Sequence, residues 1–213
     1  MDLAIPKTCG GCGADGVEWC ADCERVLHDV PALIRPTVPV GVPVWTLGPY
    51  QGPRRSAVLE LKERGRGGLA QPLGRAVAHA VLRLAEWGEL DGARIALVPA
   101  PTTGRAARRR GGDVVTDVCE CAARIAEPVA RIRVCAALRS VVAEDSVGLG
   151  AADRLRNVAG SVRVFRPAAL PPPGAAVVIV DDVVTTGATL RESVSVLSRA
   201  GVAVAAALTV AAA

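Results

Sequence analysis

Apolar runs alternate with amphipathic stretches along most of this chain, and the alternation predicts an α/β fold with a mainly parallel sheet. Buried strands are predicted at 94–98, at 177–180 and in the apolar tail 202–213. Helices are predicted over 54–64 and 69–87, where apolar residues recur at helical spacing. The other predicted elements are a helix in the second half of 106–126 and strands over 44–50, 130–138 and 161–165.

Polar residues that suit a phosphorylated ligand follow the predicted strand 177–180. Asp181 and Asp182 come at its carboxyl end, and a helix begins at about Thr189. The turn between them contributes Thr185, Thr186, Gly187, Ala188 and Thr189. In an open α/β sheet, ligands bind outside the carboxyl ends of the strands. A Thr- and Gly-rich turn that enters a helix offers backbone N–H groups and hydroxyls to a phosphate. The two carboxylates suit ribose hydroxyls or a magnesium ion carried by the phosphates.

A second candidate turn follows the predicted strand 94–98. It contains Ala100, Pro101, Thr102 and Arg105. Two hydroxyls, a glycine and an arginine at a strand end suit an anion. The arginine run 108–110 comes close behind, although such a run taken alone is most often a solvated face.

Two CxxC pairs lie near the start of the chain, and seven residues separate them. The cysteines are Cys9, Cys12, Cys20 and Cys23. In a reducing compartment such pairs favour a metal over disulfides, and two tight turns can complete a tetrahedron of thiolates. We therefore expect a structural four-Cys zinc site. A redox pair or a coincidence of spacing remains the alternative. His28 is expected to be an exposed linker residue and not a further ligand.

Five prolines in residues 29–43 argue against a helix and predict an extended linker. We place a domain boundary there, with a cysteine module and linker over 1–40 and a larger α/β domain over 41–213.

Composition narrows the class of protein. The chain has 213 residues, of which 51% are hydrophobic and 2% aromatic, so valine, alanine and leucine must build the core. Lysine occurs only at positions 7 and 62, and the net charge of +4 fits phosphorylated ligands without indicating nucleic acid. We found no apolar run long enough for a membrane span and no apolar signal core near the N-terminus. The expected location is the cytoplasm.

The stretch 177–190, VVIVDDVVTTGATL, resembles the phosphoribosyl-pyrophosphate (PRPP) loop of type I phosphoribosyltransferases. The pattern over 50–65, YxGPxRxxVxxLKxRG, resembles the ComF family, which joins a four-Cys module to a type I phosphoribosyltransferase domain. The resemblance implies that fold and a catalytic role for Asp181 and Asp182, which hold the ribose hydroxyls. It also implies that the following turn wraps the 5′-phosphate.

Two further loops take roles from the same resemblance. The turn with Ala100, Pro101, Thr102 and Arg105 would be the pyrophosphate loop. The stretch 139–160 would be a flexible loop that closes over PRPP, with Arg154, Arg156 and Asn157 retained. The implied cofactors are Mg²⁺, carried with PRPP, and structural Zn²⁺.

The resemblance leaves three functions open. The first is phosphoribosyl transfer from PRPP to an unknown acceptor, with release of pyrophosphate. The second is a catalytically silent regulator that binds PRPP or a nucleotide-like ligand. The third is an accessory protein of DNA uptake in competent bacteria, with a DNA-processing partner. Family members commonly carry Arg-Gly-Phe-Asn-Gln where this chain has RGGDV at 110–114, and this departure favours the second function over the first. A dimer is one assembly that the interpretation allows.

Overall fold

The computed structural model describes residues 7–92, 94–101, 113–141 and 160–213. Strands and helices alternate along these residues, as the apolar pattern predicts. The helices are α1 (Ala21–Leu27), α2 (Gly52–Glu63), α3 (Ala70–Glu86), α4 (Val114–Ala126) and α5 (Ala188–Arg199). The strands are β1 (Ala32–Ile34), β2 (Val44–Thr46), β3 (Arg94–Pro99), β4 (Arg131–Val134), β5 (Leu138–Ser140), β6 (Val162–Val164), β7 (Ala176–Val184) and β8 (Ala206–Ala212).

Six strands form one sheet in the order β1-β2-β8-β7-β3-β4, which confirms the mainly parallel α/β fold. Each neighbouring pair from β2 to β4 is parallel, and β1 pairs antiparallel with β2 at one edge. The chain passes from β3 to β4 on one side and then returns to β7 on the other side of β3. The strand order therefore reverses between β3 and β7, which is the place where open α/β sheets bind ligands.

Helices cover both faces of the sheet. Alternate side chains of β7 point to the two faces and pack against different helices. Val178 and Val180 pack into the cluster under α2, α3 and α4. Val177 and Ile179 pack into the opposite cluster with Leu190 and other residues of α5. Because successive side chains of a strand point to opposite faces, a residue two positions beyond Val180 also belongs to the α2 side.

Three local predictions differ from the structure. The single strand predicted over 130–138 ends at Val134, and Leu138–Ser140 pairs antiparallel with Val162–Val164 in a separate sheet. The predicted linker contributes Ala32–Ile34 as an edge strand, because an edge position pairs with one neighbour only and tolerates nearby prolines. Trp87, expected to face the core, is 44% exposed and lies against Trp45.

The N-terminal residues pack against α2 and α3. Arg75 Nε lies 2.5 Å from Glu24 Oε1, and buried Arg54 bonds Asp29 and the carbonyl of Val26. His28, which we expected to be exposed, is half-buried instead, and its ring meets His79. These contacts attach α1 to the larger unit. The boundary predicted near residue 40 stays a prediction.

Candidate functional site

The acid pair lies within β7, not after it. We expected the strand to end at Val180, but it continues to Val184. Strand β8 explains the extension, because it pairs with Asp181 through Thr209 and with Val183 through Ala211. On the other side, β3 ends its pairing at Val180. This part of β7, with Asp181 and Asp182, therefore pairs with β8 on one side only. Strand β3 ends before it reaches the acid pair on the other side.

The first residues after β3 lie beside the acid pair. Ala100 N donates to Val180 O at 2.7 Å, which places Ala100 and Pro101 next to the acid-bearing part of β7. The structure therefore brings two of the predicted pyrophosphate-loop residues to the switch point between β3 and β7. Thr102 and Arg105 lie outside the described residues, as do Arg154, Arg156 and Asn157 of the predicted flexible loop.

The threonine-rich turn connects β7 to α5, with Gly187 as the N-cap residue of the helix. Thr185 and Thr186 are exposed, and Thr186 Oγ1 accepts from Ala188 N at 3.3 Å. Gly187 has φ 86°, and a Cβ there would lie 2.7 Å from Pro36 Cβ. The first N–H groups of a helix have no intrahelical partners. This turn can therefore present hydroxyls and N–H groups to an anion, and phosphate binding by these residues stays a prediction.

The predicted linker also supports this turn. Val38 N donates to Thr186 O at 2.8 Å, so the segment around Pro36 and Val38 lies directly against the Thr-Thr-Gly stretch. Sequence reasoning missed this contact. The small residue at 187 is the signal that could have pointed to a close approach of another backbone segment.

Burial and like charge dominate the electrostatics of the acid pair. Burial raises the pKa of Asp181 to about 8, and the Asp182 charge acts in the same direction, while Lys62 opposes both. Local bonds fix the side chains: Asp181 Oδ1 accepts from Asp182 N at 2.8 Å, and Asp182 Oδ1 accepts from Val183 N at 2.7 Å. Asp182 Oδ2 is buried, and its partner among the described residues is a cation. Such an atom favours a cation or a hydroxyl donor.

Lys62, near the end of α2, is the cation that pairs with Asp182. The sequence analysis did not predict this ion pair. Lys62 Nζ forms an ion pair with Asp182 Oδ2, and the two side chains are 28% and 13% exposed. The alternation of β7 puts Asp182 on the face that α2 covers. The available signal was a lysine four positions after buried Val58, on the apolar face of an amphipathic helix.

Asp113 belongs to the RGGDV stretch that departs from the resembled ComF pattern, and the structure gives it a role in the helix. It is the N-cap of α4, where its Oδ1 accepts from Val115 N at 3.3 Å. Thr116 Oγ1 donates to its other carboxylate oxygen at 3.1 Å. A capping aspartate offsets the positive end of the helix dipole. An aspartate at this position is therefore accounted for by the start of α4.

The four N-terminal cysteines converge in a second site. The Sγ atoms of Cys9 and Cys23 are 3.7 Å apart, as are those of Cys12 and Cys20. All four sulfurs lie within 4.8 Å of one another. Zinc–sulfur bonds of about 2.3 Å place the sulfurs of a tetrahedral site about 3.8 Å apart. A disulfide would need a separation of about 2.05 Å. The cluster therefore fits one metal ion and could bind zinc.

The backbone favours the thiolate at one of the four cysteines, Cys9, whereas burial raises the pKa of Cys23. Burial acts to raise the pKa of Cys9, but N–H groups of Cys12, Gly11 and Cys20 outweigh it and lower the pKa to about 6. A Cβ at Gly11 would lie 2.5 Å from Cys23 Sγ, so only glycine leaves room for that sulfur. Both features suit a site built to hold a cation with thiolates.

Comparison with known proteins agrees with the fold. The family model for the phosphoribosyl transferase domain matches residues 136–213, which include the acid pair and the turn to α5. No curated protein matches the chain. Together with the parallel sheet, the match supports a type I phosphoribosyltransferase-like protein. The four-Cys cluster fits a zinc module joined to it. None of the described helices has the length and apolarity needed to cross a membrane.

Proposed function

We propose that this protein is a PRPP-binding phosphoribosyltransferase of the ComF type, which transfers the phosphoribosyl group to an acceptor and releases pyrophosphate. The observation that carries this proposal is the acid pair at the switch point, followed directly by the turn into α5. The family match over 136–213 supports the same ligand class.

In this proposal the acid pair and the turn into α5 bind different parts of PRPP. Asp181 and Asp182 accept hydrogen bonds from the ribose hydroxyls. The hydroxyls of Thr185, Thr186 and Thr189, with the N–H groups of Gly187 and Ala188, surround the 5′-phosphate. A Mg²⁺ ion bound with PRPP would neutralise charge on the leaving pyrophosphate. The two adjacent carboxylates of Asp181 and Asp182 fit such a cation.

The chemistry that remains for the protein is mainly positioning. The anomeric carbon loses pyrophosphate through a cation-like transition state, so a fixed ribose and a neutralised leaving group lower the barrier. The bond from Ala100 N to Val180 O, next to the acid pair, supports a position of the predicted pyrophosphate loop beside the proposed ribose site. The roles assigned to Thr102, Arg105, Arg154, Arg156 and Asn157 stay predictions from the family resemblance.

The zinc site has a structural role in this proposal. Cys9 and Cys23 are buried, and no further metal-binding side chain joins the cluster among the described residues. A closed four-thiolate shell leaves no open position for a substrate. The metal would therefore hold the N-terminal turns together and take no part in the transfer.

A catalytically silent regulator that binds PRPP is the second candidate, because the RGGDV stretch at 110–114 has an aspartate where the resembled family pattern has asparagine. A role in DNA uptake follows from the ComF resemblance alone and stays a prediction.

Isothermal titration calorimetry with PRPP, with and without Mg²⁺, tests the proposed ligand. We expect binding that requires Mg²⁺, and an absence of binding with Mg²⁺ present would refute the proposal. A screen of nucleobase acceptors for pyrophosphate release then separates the two candidates. Release with any acceptor supports transfer, while tight PRPP binding without release across the screen supports the regulator.

A further inference from the structure

A cleft of about 540 Å³ lies at the amino ends of β3 and β4. Four arginines line it, and Glu127 is the one carboxylate among the described lining residues. The arginines are Arg94, Arg124, Arg131 and Arg133. Strand β3 has six residues and its pairing ends just before Asp181, so at about 3.3 Å per residue the cleft lies about 20 Å from the acid pair. The cleft is therefore separate from the proposed PRPP site.

Three of these arginines lie on one face of the sheet. Arg94 of β3 and Arg131 of β4 are direct partners in the parallel register, and Arg133 follows two positions along β4. Ala96 packs into the cluster on the α5 side, and alternation puts Arg94 on the same face. Arg131 and Arg133 share this face because they are in register with Arg94 and Ala96. Neighbouring strands lie about 4.8 Å apart and alternate residues of one strand about 7 Å apart, so three positive charges are close together.

This concentration of positive charge is not balanced by acidic side chains. None of the described carboxylates, Glu127 included, forms an ion pair with Arg94, Arg131 or Arg133. Like charges directly opposite each other destabilise a pair of strands. Charges on an edge strand can prevent unwanted pairing with another chain, which accounts for Arg131 and Arg133 on β4. Edge protection does not account for Arg94, because β3 lies inside the sheet between β7 and β4.

The chemistry of the cleft suits an anion that carries several phosphates. A guanidinium group binds phosphate oxygens through two parallel N–H···O bonds. A chain of linked phosphates can offer separate oxygen atoms to three arginines at once. The volume of the cleft falls within the range of small-ligand sites. Ile95, Ile132 and Pro172 add apolar walls that an attached base could contact.

We propose that this cleft is a second anion-binding site, which holds a polyphosphate group, free or as part of a nucleotide, through Arg94, Arg131 and Arg133. The inference goes beyond the proposed function and does not rest on it. Without ligand the three like charges repel one another, and a bound polyphosphate replaces this repulsion with ion pairs. Because all three arginines are exposed, dissolved salt screens these pairs, and affinity should fall as the salt concentration rises.

The test compares the parent protein with Arg94→Gln/Arg131→Gln by isothermal titration calorimetry at low salt and without Mg²⁺. The first probe is inorganic tripolyphosphate. We expect the parent to bind it and the variant to bind it at least about fivefold more weakly, because two charge-assisted bonds are lost. ATP is the second probe and distinguishes the sources of the ligand. Tighter binding of ATP than of tripolyphosphate supports a nucleotide, and equal or weaker binding supports a free polyphosphate.

A matched control separates a site from a general effect of charge. Arg25→Gln/Arg83→Gln also removes two exposed arginines, but each of these already pairs with a carboxylate, Asp22 or Glu86. We expect this control to change tripolyphosphate affinity by less than about twofold. Both double variants should fold, which circular dichroism can verify, because all four replaced side chains are exposed.

Three results would overturn the inference. One is a parent protein that binds no tripolyphosphate. Another is equal affinity in the parent and Arg94→Gln/Arg131→Gln, because the anion would then bind elsewhere. The third is an equal loss of affinity in the two double variants, which would indicate net charge alone. None of these results depends on whether PRPP binds, so the proposed function is tested separately.

Discussion

At the scale of single residues, the site is defined by charges that the fold keeps close together. Asp181 and Asp182 are adjacent in one strand, and Lys62 is the cation that meets them among the described residues. Burial and the neighbouring carboxylate raise the pKa of Asp181 to about 8. In the unliganded protein this arrangement favours a protonated Asp181. Ionisation of the buried carboxyl should therefore lower the free energy of unfolding.

We expect Asp181→Asn to stabilise the protein without Mg²⁺ at pH 8 more than at pH 5. The carboxyl titrates near pH 4 in the unfolded chain and at about pH 8 in the folded one. Between these values the folded state binds more protons, so stability of the parent falls as pH rises. The asparagine does not titrate. One pKa unit is worth about 1.4 kcal/mol, and we expect a gain of at least about that size at pH 8.

Urea unfolding across pH 5 to 8 measures this difference. Asp91→Asn, at an exposed carboxylate before β3, provides the control and should leave the pH profile of the parent unchanged. A profile of Asp181→Asn that runs parallel to that of the parent would contradict the assigned pKa.

At the scale of elements, the turn into α5 is held by close backbone contact. Gly187 has a left-handed φ and lies against Pro36 and the carbonyl of Val38. The same turn supplies the groups proposed to surround the 5′-phosphate. Packing of the predicted linker against this turn thus supports the backbone of the proposed phosphate site.

Gly187→Ala should cost about 1–3 kcal/mol of unfolding free energy, because the added methyl meets Pro36 and the conformation is strained. Gly201→Ala is the matched control, since Gly201 has φ 78° and nothing within 4 Å of an added Cβ. Both variants carry the strain of positive φ, and only the first carries the steric clash. Chemical denaturation should show the larger loss for Gly187→Ala, and equal losses would argue against the close contact.

At the scale of the whole molecule, the four-Cys cluster holds the N-terminal turns together. Polar contacts of Glu24 and Asp29 with α3 and α2 attach this segment to the sheet domain. Leu69 packs beside Gly10, where an added Cβ would lie 2.6 Å from its Cδ1 atom. Loss of metal should therefore loosen the cysteine turns first and leave the sheet folded.

We expect one zinc per chain by elemental analysis of the parent and none for Cys20→Ser. The variant should be cleaved faster by protease within residues 7–28, while its circular dichroism stays close to that of the parent. Cys121→Ser, a half-buried cysteine outside the cluster, should keep the zinc. A parent protein free of zinc with four titratable thiols would contradict the metal assignment.

Much of this fold follows from the sequence because apolar periodicity and strand-end chemistry are local. The strand before Asp181, the helix after Gly187 and the convergence of the four cysteines were all predictable in this way. Contacts between distant segments were not. The pairing of Lys62 with Asp182 and the packing of Pro36 on Gly187 depend on tertiary structure. Strand β7 extends past Val180 for the same reason, because β8 supplies the pairing.

The central claim is that Asp181 and Asp182 form a PRPP site, and calorimetry of the Asp181→Asn/Asp182→Asn variant tests it most directly. The change keeps the shape of both side chains and removes their charge. The control is Glu89→Gln/Asp91→Asn, which removes two exposed carboxylates near the amino end of β3. We predict that the control binds PRPP with Mg²⁺ as the parent does and that the acid-pair variant, although folded, shows no binding. Parental PRPP affinity in the acid-pair variant would contradict the account.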